Sequence, residues 1–452
     1  MTKPWQPESW RKLPARHQIP YDDPDALARA LRRIATLPPV VFPGEVDRLK
    51  AQIAEAGAGR SFLLHGGDCV ERFEDCNRST ITDKIKILLQ MSVILTYALR
   101  KPVVKIGRIA GQYFKPRSAE TEDVEGEGVL TYRGDPVHRF EAAPEARRPD
   151  PERLVEGYFH AAATLNYIRA MIHGGFADLH NPYTWKLHFM EQSEEWEEYR
   201  TVVERILDAI SFMESFGGVN REQLGEVEFF TSHEGLHLDY ESALTRRDEE
   251  SGRWYNLAAH MVWLGERTRS VEEAHVEYFR GIANPIGIKI GPSMEAGELE
   301  KLLSRLDPDR EAGRITLITR LGAGMVTSRL PELIRAVREH GSPVVWSCDP
   351  MHGNSRTTAT GVKTRRFEEI LAELNASHET HRREGSRLSG VHFELTGENV
   401  TECTGGVGNL KEEDLGGNYR SFCDPRLNYA QSLETAFQIG RWGASAVRTP
   451  RQ

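Results

Sequence analysis

The 452-residue chain is 39% hydrophobic and 28% charged with a formal net charge of -9, the composition of a soluble globular protein. It has no apolar run long enough to span a bilayer, and its short basic clusters, R-R-F and H-R-R-E-G-S-R, are interrupted by acids, so neither a membrane protein nor a nucleic-acid binder is expected. Five cysteines, an odd number without a C-x-x-C pair, argue against a disulfide framework or zinc knuckle; with no apolar leader at the N-terminus, the expected location is the cytoplasm.

Residues 1–60 read as an extension ahead of the first strand. Within it D-P-D-A-L-A-R-A-L-R-R-I (23–34) has a helical pattern: Asp23 is placed to cap, Pro24 to open the first turn, and Leu27, Leu31 and Ile34 to share one face. Its simplest role is to cover the bottom of the fold or to contact another subunit. Two apolar runs follow, F-L-L-H-G-G-D-C (62–69) and V-V-K-I-G-R (103–108). About 120 residues then separate the second run from the third, where a parallel crossover needs roughly a dozen. Residues 120–225 are therefore expected to be a helical insertion. Leu154, Tyr158, Leu165, Ile168 and Ile172 mark one amphipathic helix ending at Gly174-Gly175. Val203, Ile206, Leu207, Ile210, Met213 and Phe216 mark another ending at Gly217-Gly218, preceded by the acidic, solvated stretch E-Q-S-E-E-W-E-E-Y.

The later apolar runs are V-E-F-F-T-S-H-E (227–234), H-M-V-W-L-G-E-R (260–267), I-G-I-K-I-G (286–291), I-T-L-I-T-R (315–320), V-V-W-S-C-D-P-M-H-G-N (344–354) and G-V-H-F-E-L-T-G (390–397). Eight such runs separated by helix-length segments predict one (β/α)8 TIM barrel over residues 1–452, with the chemistry at the C-terminal ends of the strands. An open doubly wound sheet is the alternative, but it would not gather all eight strand ends into one mouth. G-G-V-G-N-L, near residue 405, lacks the strand and helix of a dinucleotide fingerprint and is discounted.

The runs close on reactive side chains, the seventh delivering Asp349 and His352 into a loop. Cys69, His352, Glu394 and Asp424 together offer a thiolate, an imidazole and two carboxylates, a mixed set suited to Mn, Fe, Co or Zn rather than Mg or Ca. Taken singly, each has a plainer reading as an apolar filler, a core histidine or a turn residue. Arg108, Lys115, Arg117, Arg267, Lys289 and Arg320 lie at or near strand ends. Unpaired buried charge costs several kcal/mol, so these cations predict a polyanionic ligand; internal ion pairs are the competing account, with Glu266 and Asp68 as the nearby acids. Arg forks and the Ser118 hydroxyl suit phosphate and carboxylate groups. A metabolite sensor, or another metal-dependent aldol-type lyase, would use part of this constellation.

The ordered blocks G-G-D-C-V-E, R-I-A-G-Q-Y-F-K-P-R-S, Y-R-G-D, S-H-E-G, W-L-G-E-R-T-R, N-P-I-G-I-K-I-G-P, C-D-P-M-H-G-N, G-V-H-F-E-L-T-G-E-N-V-T-E-C and C-D-P-R-L-N run through nearly the whole chain. In them the chain resembles the type II 3-deoxy-D-arabino-heptulosonate 7-phosphate (DAHP) synthases, the plant-like form of the first shikimate-pathway enzyme. The resemblance implies condensation of phosphoenolpyruvate with erythrose 4-phosphate on a (β/α)8 barrel carrying one divalent metal, Mn2+ first, with Co2+, Fe2+ or Zn2+ as alternatives. By matching motifs, Cys69, His352, Glu394 and Asp424 would ligate the metal, and Arg108, Glu266, Arg267, Lys289 and Arg320 would bind phosphoenolpyruvate. Lys115 would stand near its reacting end, Arg117 and Ser118 would hold the sugar phosphate, and Lys115 or His352 would carry a proton. The resemblance further implies a homodimer or tetramer, aromatic amino acid effectors acting through the extension and insertion, and a chorismate mutase partner. Phe114 departs from it, being bulkier than the small residue expected before Lys115. Finally, Cys423 adjoins Asp424 and should approach Cys69, as either a disulfide partner in the metal-free protein or a space filler.

Overall fold

A computed structural model of the protein describes residues 4–117, 119–124, 126–174, 200–201, 204–205 and 227–447. The eight expected runs form strands, each slightly trimmed or shifted at its ends. They are β1 (Phe62–Gly67), β2 (Val103–Arg108), β5 (Phe230–Glu234), β8 (Met261–Leu264), β9 (Ile286–Ile290), β10 (Ile315–Thr319), β11 (Val345–Cys348) and β14 (Leu388–Glu394). All pair in parallel, and the sheet closes where β1 pairs with both β2 and β14. Among the described residues three antiparallel hairpins complete the set: β3–β4 (Thr121–Val124, Glu127–Leu130), β6–β7 (Thr245–Arg247, Trp254–Asn256) and β12–β13 (Ser355–Thr357, Lys363–Arg365). Among the described residues no helix is long and apolar enough to cross a membrane.

The strands carry near-continuous apolar sequence because one side faces the barrel interior and the other faces helices such as Arg78–Leu99, Val326–His340 and Phe367–Arg383. The last helix, Tyr429–Val447, packs on Arg78–Leu99 and so joins the two ends of the barrel.

The extension divides its work between two helices. Pro24–Thr36 starts as expected, with the Asp23 side chain accepting the Ala26 N–H and proline in the first turn. Its buried Ala30 and Ile34 pack against Leu154, Val155 and Tyr158 of helix Glu152–His173. The second helix, Pro43–Gly57, plugs the bottom of the barrel: Leu49, Ile53 and Ala56 meet Leu63, Val104, Phe230, Met261 and Val345 from the lower turns of the strands. The helix expected over 23–34 therefore packs on Glu152–His173, and a second helix, one the sequence pattern did not single out, covers the barrel bottom.

The segment between β2 and β5 is not helical throughout, as it opens with the β3–β4 hairpin. Gly126 turns this hairpin at φ +88°, which glycine adopts without steric cost, and its four-residue strands are too short to show an apolar alternation. Helix Glu152–His173 contains the first predicted amphipathic stretch. Most of the second predicted helix, 203–216, lies outside the described residues.

Removing side-chain atoms from the plug leaves a cavity that its neighbours fill only in part. Ile53→Ala, at a fully buried position, is expected to destabilise the fold by about 2–5 kcal/mol. A lowered urea midpoint checks this, with Ala51→Ser at an exposed position of the same helix as the near-neutral control.

Candidate active site

A cavity of about 520 Å³ opens at the C-terminal ends of the strands. Its lining includes every described cation expected there: Arg108, Lys115, Arg117, Arg267, Lys289 and Arg320. Strand geometry explains the gathering, because the last residue of each strand or the first of its loop points into the mouth. Arg108 ends β2, Lys289 sits in β9, and Glu266 and Arg267 follow β8. Ser118 lies outside the described residues. Phe114 packs behind the loop, its ring 5.1 Å from His237 and 5.5 Å from Tyr240, while Lys115 and Arg117 still face the cavity.

The four expected metal donors converge on one side of this cavity. Cys69, Cys423 and Asp424 form one cluster, and His352, Glu394 and Asp424 a second, each with its ligand atoms within 4.8 Å; Asp424 belongs to both. His352 Nε2 lies 3.0 Å from Glu394 Oε1, and Cys69 Sγ lies 3.2 Å from Asp424 Oδ2. Burial alone would raise the Glu394 and Asp424 carboxyls. His352, Arg365 and Arg108 outweigh burial at Glu394, as Lys115, Arg365, His352 and Lys363 do at Asp424, and hold both below the usual carboxylate range. Two ionised carboxylates, an imidazole and a cysteine sulfur fit a divalent transition metal.

Sequence reasoning undervalued the orienting partners. Asp349 Oδ2 lies 2.7 Å from His352 Nδ1, an arrangement in which Nδ1–H donates to the carboxylate and Nε2 is left for the donor cluster. The same oxygen accepts a hydrogen bond from Lys289 Nζ at 2.5 Å. The spacing of three between Asp349 and His352 was the available signal. Arg365, fully buried, donates to Glu394 Oε2 at 2.8 Å, and Lys363 pairs with Asp424; nothing in their local sequence marks either. Below the cavity, Arg108 Nη1 donates to His392 Nε2 at 2.9 Å. The rings continue through His65 (Nδ1 to Nδ1, 3.0 Å) to Ser232 Oγ (2.7 Å), whose hydroxyl donates to the Gly107 carbonyl.

Internal ion pairs, the competing account of the cations, are present in the pocket, though not mainly with the acids expected. Arg108 pairs with Glu394 at 3.1 Å and Lys115 with Asp424 at 2.5 Å, Lys289 is held by Asp349, and Arg320 lies 4.0 Å from Glu266. Most of these acids come from distant strands, whereas the sequence reading considered only chain neighbours. Asp68 is not among them, since it pairs with Lys84 and Arg426. The pocket nevertheless keeps an excess of positive charge, because Glu394 serves both Arg108 and Arg365, and Asp424 both Lys115 and Lys363.

The barrel, its cationic mouth and the mixed donor set define an enzyme of the α/β-barrel class, equipped for phosphorylated and carboxylated small molecules. The class-II DAHP synthetase family profile matches residues 5–440, and the chain belongs to that family, the DAHP synthases of the shikimate pathway. Proteins called phospho-2-dehydro-3-deoxyheptonate aldolase are similar to it over nearly their whole length. That of Neurospora crassa is 48% identical (96% of this chain, 93% of the relative) and that of Streptomyces coelicolor 47% (97% of each). That of Mycolicibacterium smegmatis is 44% identical, over 93% of this chain and 91% of the relative.

Cys69 and Cys423 are joined in a disulfide, with Cα atoms 6.8 Å apart. A bridged Cys69 is not a thiolate, so the disulfide and metal ligation through Cys69 exclude each other. Chelated, air-exposed protein is expected to accumulate the Cys69–Cys423 bridge and lose activity until reductant and metal are restored. Non-reducing peptide mapping checks this: free thiols at both positions, or Cys69 paired with Cys76, would rule it out.

Proposed function

We propose that this cavity carries out the metal-dependent condensation of phosphoenolpyruvate with erythrose 4-phosphate, releasing inorganic phosphate. The observation that carries the reading is the meeting, in one barrel mouth, of the cation cluster with Cys69, His352, Glu394 and Asp424. Arg108, Glu266, Arg267, Lys289 and Arg320 form the phosphoenolpyruvate site, and Arg117 with Ser118 the sugar-phosphate site. The donor cluster holds one divalent ion, with Mn2+ the first candidate and Co2+, Fe2+ and Zn2+ the others. When bound, the metal supplies Lewis-acid polarisation of the aldehyde oxygen.

The protein's own groups do the remaining work. The Arg and Lys cluster steadies carboxylate and phosphate while charge moves from the enol toward the aldehyde oxygen. Lys115, 2.7 Å from Cys69 Sγ and 2.5 Å from Asp424, stands beside the donor cluster, where an ammonium can deliver a proton to the developing alkoxide. His352 suits that role less well, because Asp349 engages Nδ1 and Nε2 faces the donor cluster.

Around this centre we place the chain in the cytoplasm as a homo-oligomer. The extension and the 120–225 insertion form its accessory region, for subunit contact and for inhibition by aromatic amino acids, and a chorismate mutase is a candidate partner. The support is the family membership and the amount of chain beyond what a crossover needs. Deleting 203–216 is expected to leave a metal-binding barrel while abolishing inhibition by phenylalanine, tyrosine or tryptophan; retained inhibition in a soluble variant points to an oligomer contact alone.

Phosphoenolpyruvate absorbance is expected to fall only when erythrose 4-phosphate is present, and to stop falling after chelation. Consumption without the sugar, or indifference to the chelator, rejects the reading. Arg320→Ala should weaken apparent phosphoenolpyruvate binding by about 2–5 kcal/mol, seen as a raised KM, because it strips a charge-assisted contact from a desolvated anion. Burial, opposed by Asp349 and assisted by Arg108, pushes Lys289 down to about 8. Lysine is cationic below its pKa, so KM for phosphoenolpyruvate should climb as pH rises through about 8, and Lys289→Arg should flatten that limb.

A further inference from the structure

Glu373 lies on helix Phe367–Arg383, outside the barrel, and is wholly enclosed. Among the described residues it makes no ion pair within 4 Å, and burial, opposed by the Gly322 and Leu321 N–H groups and assisted by Asp349, pushes its carboxyl up to about 7. Its partners are instead two loops at the mouth. Oε1 accepts the Leu321 N–H at 2.8 Å and the Gly322 N–H at 2.9 Å, in the loop after β10. Oε2 accepts from Asn354 Nδ2 at 2.7 Å, in the loop after β11. Asn354 extends the bridge, its Nδ2 donating also to the Pro350 carbonyl at 2.8 Å and its Oδ1 accepting the Ala323 N–H at 3.0 Å.

The two loops also meet directly. Gly322 has φ +86°, and a Cβ on it would come 2.9 Å from the Gly353 carbonyl oxygen, so glycine permits the close approach of the backbones. Arg320 Nη2 donates to the His352 carbonyl at 3.2 Å. The bridged positions adjoin working side chains: Leu321 follows Arg320, and Asn354 stands two residues after His352. One side chain thus reaches both loops from behind, each oxygen holding a different loop. A buried carboxylate without a cation is costly, and charge-assisted hydrogen bonds are its compensation. Here those bonds fix the main chain beside a guanidinium and an imidazole whose small displacement would misplace substrate or metal. Asp349 joins side chains within the mouth, whereas Glu373 acts on the main chain from outside it.

We propose that Glu373 is a positioning residue that locks the loops after β10 and β11 into one unit and so fixes the spacing of Arg320 and His352. The assignment rests on the reading of Arg320 as a phosphoenolpyruvate contact and of His352 as a metal donor. With the loops held together, the free protein already presents both groups in register, and neither substrate nor metal has to order them on binding.

The test compares Glu373→Gln with the parent enzyme. The new amide nitrogen must face either the Leu321 and Gly322 N–H groups or Asn354 Nδ2, donor against donor, so one loop is released. Expected is a rise of about tenfold both in KM for phosphoenolpyruvate and in the Kd for Co2+, the size of one charge-assisted hydrogen bond. The Kd is read from visible absorption as Co2+ is titrated into the reduced, metal-free protein. KM for erythrose 4-phosphate should stay unchanged, because its proposed contact Arg117 follows β2, and so should kcat at saturating metal and phosphoenolpyruvate. Equal rises in the two KM values mark a general loosening and overturn the proposal. A lowered urea midpoint with neither constant moved, or a rise in only one of the two constants, overturns it as well. Should the Gln variant not fold, Asn354→Ser cuts the bridge at its other end and should raise the same two constants; anything less overturns the proposal. If the parent enzyme fails to consume phosphoenolpyruvate with the sugar, the reading of the cavity falls, and the Co2+ titration then decides the lock by itself.

Discussion

A single buried carboxylate ties the two halves of the active site together. Asp349 faces both Lys289, from the anion pocket, and His352, from the donor cluster, through the same Oδ2. Its own backbone N–H is fixed to the Thr319 carbonyl, and its Oδ1 accepts the Met351 N–H at 3.0 Å. Burial would raise this acid, but His352 and Lys289 outweigh burial and keep it ionised. Whatever displaces Lys289 is thus felt at the imidazole, and the geometry of each subsite is set with reference to the other.

Much of this architecture is legible in the chain, for reasons that differ by element. Parallel strands buried on both faces must be apolar end to end, so the eight runs announce themselves, and their closing residues identify the mouth. The donors Cys69, His352 and Glu394 stand out because each lies at or near the end of such a run, whereas Asp424 lies well beyond the eighth run and stands out only through the block C-D-P-R-L-N. Arg365 and Lys363 do not, since their pairing with Glu394 and Asp424 depends on how the β12–β13 hairpin folds back over the mouth. Asp349 was visible as a residue, but its bond to Lys289 joins β9 to the loop after β11 and has no signature in either segment. The β3–β4 hairpin was missed because two four-residue strands are too short to show a hydrophobic period.

The charge arrangement shows how a pocket built from cations stays folded before any ligand arrives. In this pocket Arg108, Lys115 and Lys289 each lean on a carboxylate that also has a second partner, so the cluster is held by shared acids rather than by one-to-one pairs and keeps its excess of positive charge. Such pairs cost desolvation and add little net stability, and their value lies in the positions they enforce. The Cys69–Cys423 bridge fits the same economy. The cysteine that would ligate a metal is also one that a neighbour can claim, so the redox state of two side chains governs access to the whole donor set.

The plug formed by Pro43–Gly57 has a consequence for how the chain assembles. Its contacts include Val345, about three hundred residues later in the chain, and residues of β14. During synthesis this helix emerges before any strand of the barrel it is to close, so its apolar face is not fully covered until the seventh and eighth strands exist. This early segment is therefore among the last to be fully enclosed, and contacts of such long sequence separation slow the approach to the native state. Until then Leu49, Ile53 and Ala56 form an exposed adhesive stripe on a newborn chain, a period in which a chaperone or a second nascent chain can compete for it.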